Sequence, residues 1–430
     1  MRIAQLAKAL GTETTRAILF YCLTVISMAF FLLSGEVSRN AYYLLTYLAI
    51  ATFIWLVWRR DRRLFFYWIP TLLLLLGLSK WLWATLTTNH QLPLIAEHYR
   101  ISGKRMMLGA VVLYVIHRLS PQWSVPPRLA QAAALLFSVL LCVITFIAVE
   151  TFLQTGERPK INSDAATSGA YMFTLLAMVT LWSVRQAFPR HYPLPFFVVL
   201  TVSYVLLAVS ETRSAILLFT LFCLAAMLHH IVISPWRSRL VWLAVFALLL
   251  TGALIGAAKY SDRLINRVET VQAEIQQYRQ GNPSTSIGGR FGMWQAGLWA
   301  FTQHPWGQSA DSRNQQAKIW LDAHQPHNEI AYLNIQYHTH NDIVESLSLQ
   351  GVAGGGIMAA FFLALLIVPL SGTKRHYEGL LLAIPVIYFS MGDAQFYNRE
   401  SPYFILLTWG YFMMMRQLVP GDAPTVKRSR

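Results

Sequence analysis

Charge is scarce in this chain: 13% of its 430 residues are Asp, Glu, Lys or Arg, against 55% hydrophobic. A soluble fold needs far more polar surface than that, so the balance points to a polytopic membrane protein. Cysteine is rarer still. The three present, Cys22, Cys142 and Cys223, all fall inside long apolar stretches, with neither zinc-site spacing nor a disulfide framework. A small-residue cleavage site is also missing. Met1 to Arg16 sets basic residues ahead of an apolar stretch, as a signal peptide would, and without a cleavage site it reads as a retained signal anchor.

What the chain has in abundance is apolar length. Windows able to cross a hydrocarbon core of roughly 30 Å recur at 17–34, 41–58, 64–86, 106–117, 129–152, 168–184, 194–210, 214–230, 240–258, 346–369, 378–391 and 402–418. They define an all-α polytopic membrane protein of about 12 transmembrane helices. The fourth window, "MMLGAVVLYVIH", is short for a crossing, and omitting it would invert every later loop. Loop charge argues for keeping it. With the N-terminus inside, the inner connections contain "RRDRR" (59–63), "HRLSPQWSVPPR" (117–128), "VRQAFPR" (184–190), "PWRSR" (235–239), "TKR" (373–375) and the tail "KRSR" (427–430), all basic. Both termini are then cytoplasmic. The net charge of +15 follows from inner loops facing anionic membrane lipids, with no nucleic acid partner implied.

One region breaks the pattern. Residues 259–341 form a polar insertion on the outer side between helices 9 and 10, dividing the chain into 1–258 (helices 1–9), 259–341 (an outer loop domain) and 342–430 (helices 10–12 and a tail). Connections of that length are usually functional or disordered. Amphipathic stretches such as "RLINRVETVQAEIQQY" and "GMWQAGLWAFTQ" predict a helical layer resting on the membrane surface.

Outer loops are ordinarily poor in arginine, so two there call for explanation. Arg213 lies in "SETRSA", a short link between helices 7 and 8, where it either serves a ligand or pairs with Glu211. Arg290 follows a glycine pair in "TSIGGRFGMW", where a flexible backbone would let a polar headgroup approach. The stretch "HTHNDIVE" (338–345) then sets polar groups at the mouth of helix 10. Thr339 and Asp342 have the spacing of a capping box, which would put His340 in the first turn, where the helix dipole favours the neutral ring that a general base needs. Asp342 or Glu345 would orient that ring and Asn341 would bind a hydroxyl. His338 and His340 alone make a poor metal site, since no further ligand has suitable spacing, so no metal is expected. Two arginines and a basic histidine on one face suit a diphosphate leaving group and an acceptor hydroxyl to be activated.

The segments "ETRSAILLF" (211–219), "GGRFGMWQAGLWAFTQHPWG" (288–307), "SADSR" (309–313) and "HTHNDIVESLSLQGVAGG" (338–355) resemble the signature blocks of bacterial O-antigen ligases and the wider ligase and polymerase superfamily. The resemblance implies a metal- and cofactor-free glycosyltransferase of the inner membrane with a periplasmic active site, so that the insertion would be periplasmic. Its partners would be undecaprenyl-diphosphate-linked O-antigen as donor and lipid A-core oligosaccharide as acceptor. Arg213 and Arg290 would hold the diphosphate, and His340, preferred to His338 because it precedes Asn341, would activate the acceptor. Where the family often has glutamate after "HN", this chain has Asp342. Tyr171 in "INSDAATSGAY", and Asp393 and Arg399 in "GDAQFYNRE", join His338, Asn341 and Asp342 as candidate substrate contacts. An O-antigen polymerase or a protein O-oligosaccharyltransferase would use the same set on another acceptor. A lipid-linked sugar transporter would need the arginines but no base.

Overall fold

The computed structural model describes residues 13–58, 66–163, 165–189, 193–233, 272–371 and 377–416, which are largely helical with no strand among them. Helices α1 (Glu13–Phe30), α2 (Gly35–Trp58), α3 (Trp68–Leu86), α4 (Pro93–Leu119), α5 (Pro127–Thr155), α6 (Ala166–Ala187), α7 (Pro193–Ser210) and α8 (Arg213–Ile233) come first. The insertion contributes α9 (Ser286–Gln303), α10 (Ala310–His324) and α11 (Glu329–Asn334), and the chain continues through α12 (Asp342–Leu370), α13 (Leu380–Gly392) and α14 (Ser401–Met415).

The protein is an all-α, multi-pass membrane protein. Among the described residues, six helices, α1, α2, α3, α5, α6 and α12, are long and apolar enough to cross a membrane, and shorter apolar helices cover Leu194–Ser210, Arg213–Leu228 and Tyr377–Gly392. The apolar window at 240–258 lies outside the described residues, as do residues 1–12 of the anchor and the basic segments 59–63, 235–239, 373–375 and 427–430. The short window "MMLGAVVLYVIH" forms part of the 27-residue α4, whose earlier turns carry Glu97, Arg100, Lys104 and Arg105.

Burial explains the arrangement. A helix that is apolar all round belongs in the middle of a bundle; α14 is buried along its whole length and α6 along most of its own. Around them, Tyr403 of α14 stacks on Tyr42 of α2, and Tyr411 on Tyr21 of α1, with ring centroids 4.8 and 5.8 Å apart. Helices α3 and α4 cross at Gly77 and Gly103. A Cβ added to either would come within 2.7 or 2.6 Å of the other's carbonyl oxygen, the close approach that small residues permit between membrane helices.

The sequence reads a single helix through 346–369, but α12 is broken. Gly351 has φ 68° and ψ −159°, splitting 342–350 from 352–370. The turn "HPWG" fills the break: Gln308 N–H donates to Leu349 O (2.9 Å) and Val352 N–H to Pro305 O (2.8 Å). A Cβ on Gly351 would lie 2.2 Å from Pro305 O, so this glycine lets the backbone turn seat against α12. The first segment is buried, whereas Val352, Leu363, Ile367 and Leu370 of the second are exposed. The lipid-facing rod is therefore 352–370.

The insertion is fixed to the bundle by "SADSR". Ser309 caps α10 by accepting from Ser312 N–H (3.1 Å). Asp311 accepts from the amides of His90, Gln91 and Leu92 at 2.6, 3.1 and 2.9 Å, satisfying backbone donors in the α3–α4 turn. Trp83 Nε1 donates to Gln308 O (2.8 Å). Within the insertion Met293, Ala296, Ala317, Leu321, Ala331 and Ile335 form a small core of their own.

Candidate active site

The N-termini of α6, α8 and α12 and the C-terminus of α13 meet at one end of the bundle, and the polar groups singled out in the sequence gather there. The 338–341 turn is built from within. His340 holds a left-handed φ of 54°, which turns its N–H onto His338 Nδ1 (3.2 Å). Thr339 is buried, with its amide donating to Glu345 Oε2 (2.8 Å) and its hydroxyl to Asn341 O (3.2 Å). Asn341, not Thr339, is the N-cap of α12: its Oδ1 accepts from Ile343 and Val344 N–H at 3.0 and 3.1 Å. Two expectations change as a result. Asn341 is committed to the backbone, with its Nδ2 against Met391 Sδ (3.6 Å), and His340 stands before the cap, outside the first turn.

The carboxylate that meets His340 is Asp393, at the end of α13. Its Oδ1 lies 3.1 Å from His340 Nδ1 and 3.9 Å from His338 Nε2, and it also accepts from Ala394 N–H (2.9 Å). The acids expected to orient the ring have other work. Asp342 accepts from Phe396 N–H (3.0 Å), and Glu345 pairs with Arg313 (3.0 Å), both fully buried. Burial, followed by the neighbouring His340 imidazole, pushes His338 down to about 4. Burial also works to raise the Asp393 carboxyl, but the hydrogen bond from His340, the two imidazoles and the Ala394 amide outweigh it and hold it at about 2.

With Asp393 accepting from Nδ1–H, His340 keeps Nε2 as a free acceptor; the tautomer is assigned from this partner. His338 is the converse: its Nδ1 is occupied by the His340 amide, leaving the proton on Nε2. The two rings and Asp393 offer three metal-type donors within 4.8 Å of one another. To converge on one ion, His340 Nδ1 would have to give up its bond to Asp393.

Tyr171 closes a second side. Its ring stacks on Phe389 (centroids 4.1 Å, 16° apart) and its hydroxyl lies 2.9 Å from Ser214 Oγ. Asp393 and Arg290 both act electrostatically on that hydroxyl, so these three groups share one neighbourhood. Arg213, beside Ser214 at the start of α8, has an exposed side chain, and among the described residues it forms no ion pair with Glu211. Arg290 sits at the start of the second turn of α9, whose N-cap is Thr285. The preceding glycines are there for packing, because Cβ atoms on Gly288 and Gly289 would strike Pro283 O and Ile330 at 2.3 and 2.5 Å. Arg399 is paired with Glu97 at 3.3 Å.

The O-antigen ligase family pattern matches residues 196–359. A protein named O-antigen ligase from Escherichia coli (strain K12) is 24% identical over 344 residues, covering 79% of this chain and 78% of that protein. The chain is thus similar to O-antigen ligases over residues 196–359 and, more distantly, over most of its length. The region matched by the family pattern holds Arg213, Arg290, Arg313 and the 338–345 turn, while Tyr171, Asp393 and Arg399 fall outside it.

Two residues were not recognised from sequence. Arg313 was noticed only as part of "SADSR", although its buried pairing with Glu345 supports the histidine turn. Lys80, 1% exposed within α3, places Nζ 4.1 Å from the Tyr99 ring centroid and acts electrostatically on Asp342 and Glu345. A lysine inside an apolar span was the available signal.

Proposed function

We propose that this protein is an O-antigen ligase that transfers a glycan from undecaprenyl diphosphate to a sugar hydroxyl of lipid A core, at the periplasmic face of the bacterial inner membrane. The observation that carries the reading is His340 Nδ1 at 3.1 Å from Asp393, which leaves Nε2 free to accept a proton. In this reaction the acceptor O–H gives its proton to Nε2 and its oxygen attacks the anomeric carbon. The bond from that carbon to the diphosphate oxygen breaks, and undecaprenyl diphosphate leaves with the electron pair. Asp393 stabilises the imidazolium as it forms. Arg213 and Arg290 hold the diphosphate and take up the charge developing on it, a task suited to guanidinium forks. Tyr171 positions the donor beside them. No metal or nucleotide sugar takes part.

The test is glycan transfer by purified His340→Ala and His338→Ala in detergent, after both are shown to melt like the parent. Loss of the base should lower kcat by about 10²–10⁴, with a smaller effect from His338→Ala. Near-parental transfer by His340→Ala refutes the mechanism. Replacing lipid A core by a second lipid-linked repeat tests the acceptor: efficient transfer to that repeat, and none to the core, would make the protein a polymerase.

A further inference from the structure

A second recess opens at the same end of the bundle, between the α1–α2 turn, residues 162–163 of the connection into α6 and residues 398–401. Its volume is about 440 Å³, within the roughly 300–1,000 Å³ range of small-molecule sites. Glu36, Arg39, Asn162, Ser163, Asn398 and Arg399 line it above an apolar floor that includes Met172. It adjoins the histidine site through two elements. The 393–398 segment runs from the dyad carboxylate to its wall, and Asn398 Nδ2 donates to Ser168 Oγ (3.1 Å), one helical turn before Tyr171 on α6.

The rim is held in an unusual shape. Ile161 and Asn162 are consecutive non-glycine residues with left-handed φ values of 48° and 50°. Asn162 is kept there by donating to Phe31 O (2.9 Å), and Gly35 leaves room for it, since a Cβ at Gly35 would lie 3.1 Å from Asn162 Nδ2. Backbone held in such regions clusters at ligand sites.

The charge pattern indicates the ligand class. Arg39 shares Glu400 with the buried Arg105, at 3.7 and 3.0 Å, Arg399 faces Glu97 at 3.3 Å, and Glu36 adds a third acid to the lining, so the arginines here are matched by acids. Arg399 Nε is buried without a hydrogen-bond partner. Such a lining offers donors and acceptors together and no net positive field. A phosphate would favour unopposed cations; sugar hydroxyls, each both donor and acceptor, match the mixture.

We propose that this recess is a carbohydrate subsite seating sugar units that flank the reacting centre, an inference that rests on the glycan-transfer reading. The glycan of the donor and that of the acceptor present the same chemistry, and substrate kinetics distinguish them. Glu36→Gln and Arg39→Gln are made in the full-length protein. KM is measured separately for each lipid-linked substrate, together with kcat, the melting temperature and binding of the two water-soluble released oligosaccharides by saturation-transfer NMR.

The expected result is about a tenfold rise in one KM with kcat within about twofold, the signature of lost uniform binding. A rise confined to the core substrate assigns the recess to the acceptor, and a rise confined to the diphosphate substrate assigns it to the donor. Both values unchanged in both variants, at parental melting temperature, overturn the subsite. Should Arg39→Gln destabilise the fold by leaving Glu400 paired with Arg105 alone, Glu36→Gln carries the test, since its exposed side chain forms no ion pair among the described residues. Direct binding separates this inference from the catalytic one. A parent that binds a soluble glycan and transfers nothing, with binding lost in Glu36→Gln, sinks the transfer reading and supports the subsite. A parent that transfers while the variants bind glycan as well as it does sinks the subsite alone.

Discussion

Replacing Asp393 with asparagine removes one charge and almost no volume, and the surroundings decide which atom of the new amide faces His340. Oδ1 of Asp393 receives both the Ala394 N–H (2.9 Å) and the bond with His340 Nδ1 (3.1 Å). An asparagine that turned its NH2 towards the histidine would set that group against the Ala394 amide as well, donor to donor. The amide oxygen should therefore stay in place, Nδ1 should keep its proton and Nε2 should remain a base. What is lost is the charge. At 3.1 Å and an effective dielectric of about 20, an imidazolium and a carboxylate attract by about 5 kcal/mol, which is a ceiling; hydrogen-bond strengths put the difference between an ionised and a neutral acceptor nearer 1–2 kcal/mol. Asp393→Asn should thus lower kcat by about 5- to 30-fold, with KM for both substrates within about threefold. Asp393→Ala, which loses the oxygen too, should fall further. Single-turnover transfer with saturating donor and acceptor is the assay. A kcat for Asp393→Asn within threefold of the parent, at parental melting temperature, would refute the dyad as a working unit.

Three other outcomes follow from the geometry. Arg313→Met leaves Glu345 buried and uncompensated, which should cost about 3–5 kcal/mol and appear as a lower melting temperature in detergent; adding Glu345→Gln should recover part of it, and no recovery would mean that the pair is not what the arginine supports. Gly351→Ala meets Pro305 O at 2.2 Å in a left-handed conformation, whereas Gly356→Ala meets nothing within 4 Å, so the first should destabilise and the second be silent by the same thermal assay. His338 is held down to about 4 from 6.5 and Asp393 down to about 2 from 3.8. Both depressed values mean that the unfolded chain binds more protons, so stability is present above 6.5 and 3.8 and is lost as pH falls through 4 and then 2. The melting temperature should drop between pH 6.5 and 4, and His338→Gln should flatten that drop; an unchanged slope would show that this ring is not the source.

Much of this was legible in the sequence because it depends on local pattern. Apolar windows marked most of the described helices, and unusual polar groups near helix ends marked Arg213, Arg290, the histidine turn, Tyr171 and Asp393 as candidates, of which Asp393 meets the histidine turn and Tyr171 meets Ser214, the neighbour of Arg213. Pairing was not legible. Asp393 lies 53 positions from His340, and "HTHNDIVE" offers two nearer acids that the fold uses elsewhere, one for the Phe396 amide and one for Arg313. The cap was misread for a related reason: both Thr339 and Asn341 have capping side chains, and only the left-handed backbone at His340 selects the second. The break at Gly351 escaped because periodicity does not register one residue of changed φ inside an apolar run.

That break has a mechanical consequence. Membrane helices adjust to bilayer thickness by tilting, and a continuous rod from 342 to 370 would be about 42 Å long at 1.5 Å per residue. A tilt of about 10° would swing its far tip by about 7 Å, more than twice a hydrogen-bond length. With the joint at Gly351 seated in the 305–308 turn, the lower rod can lean while the upper segment stays registered to the insertion, which is anchored in turn to the α3–α4 hairpin through Asp311. His340 is thereby isolated from the lever arm below it, and transfer should change little between thin and thick bilayers.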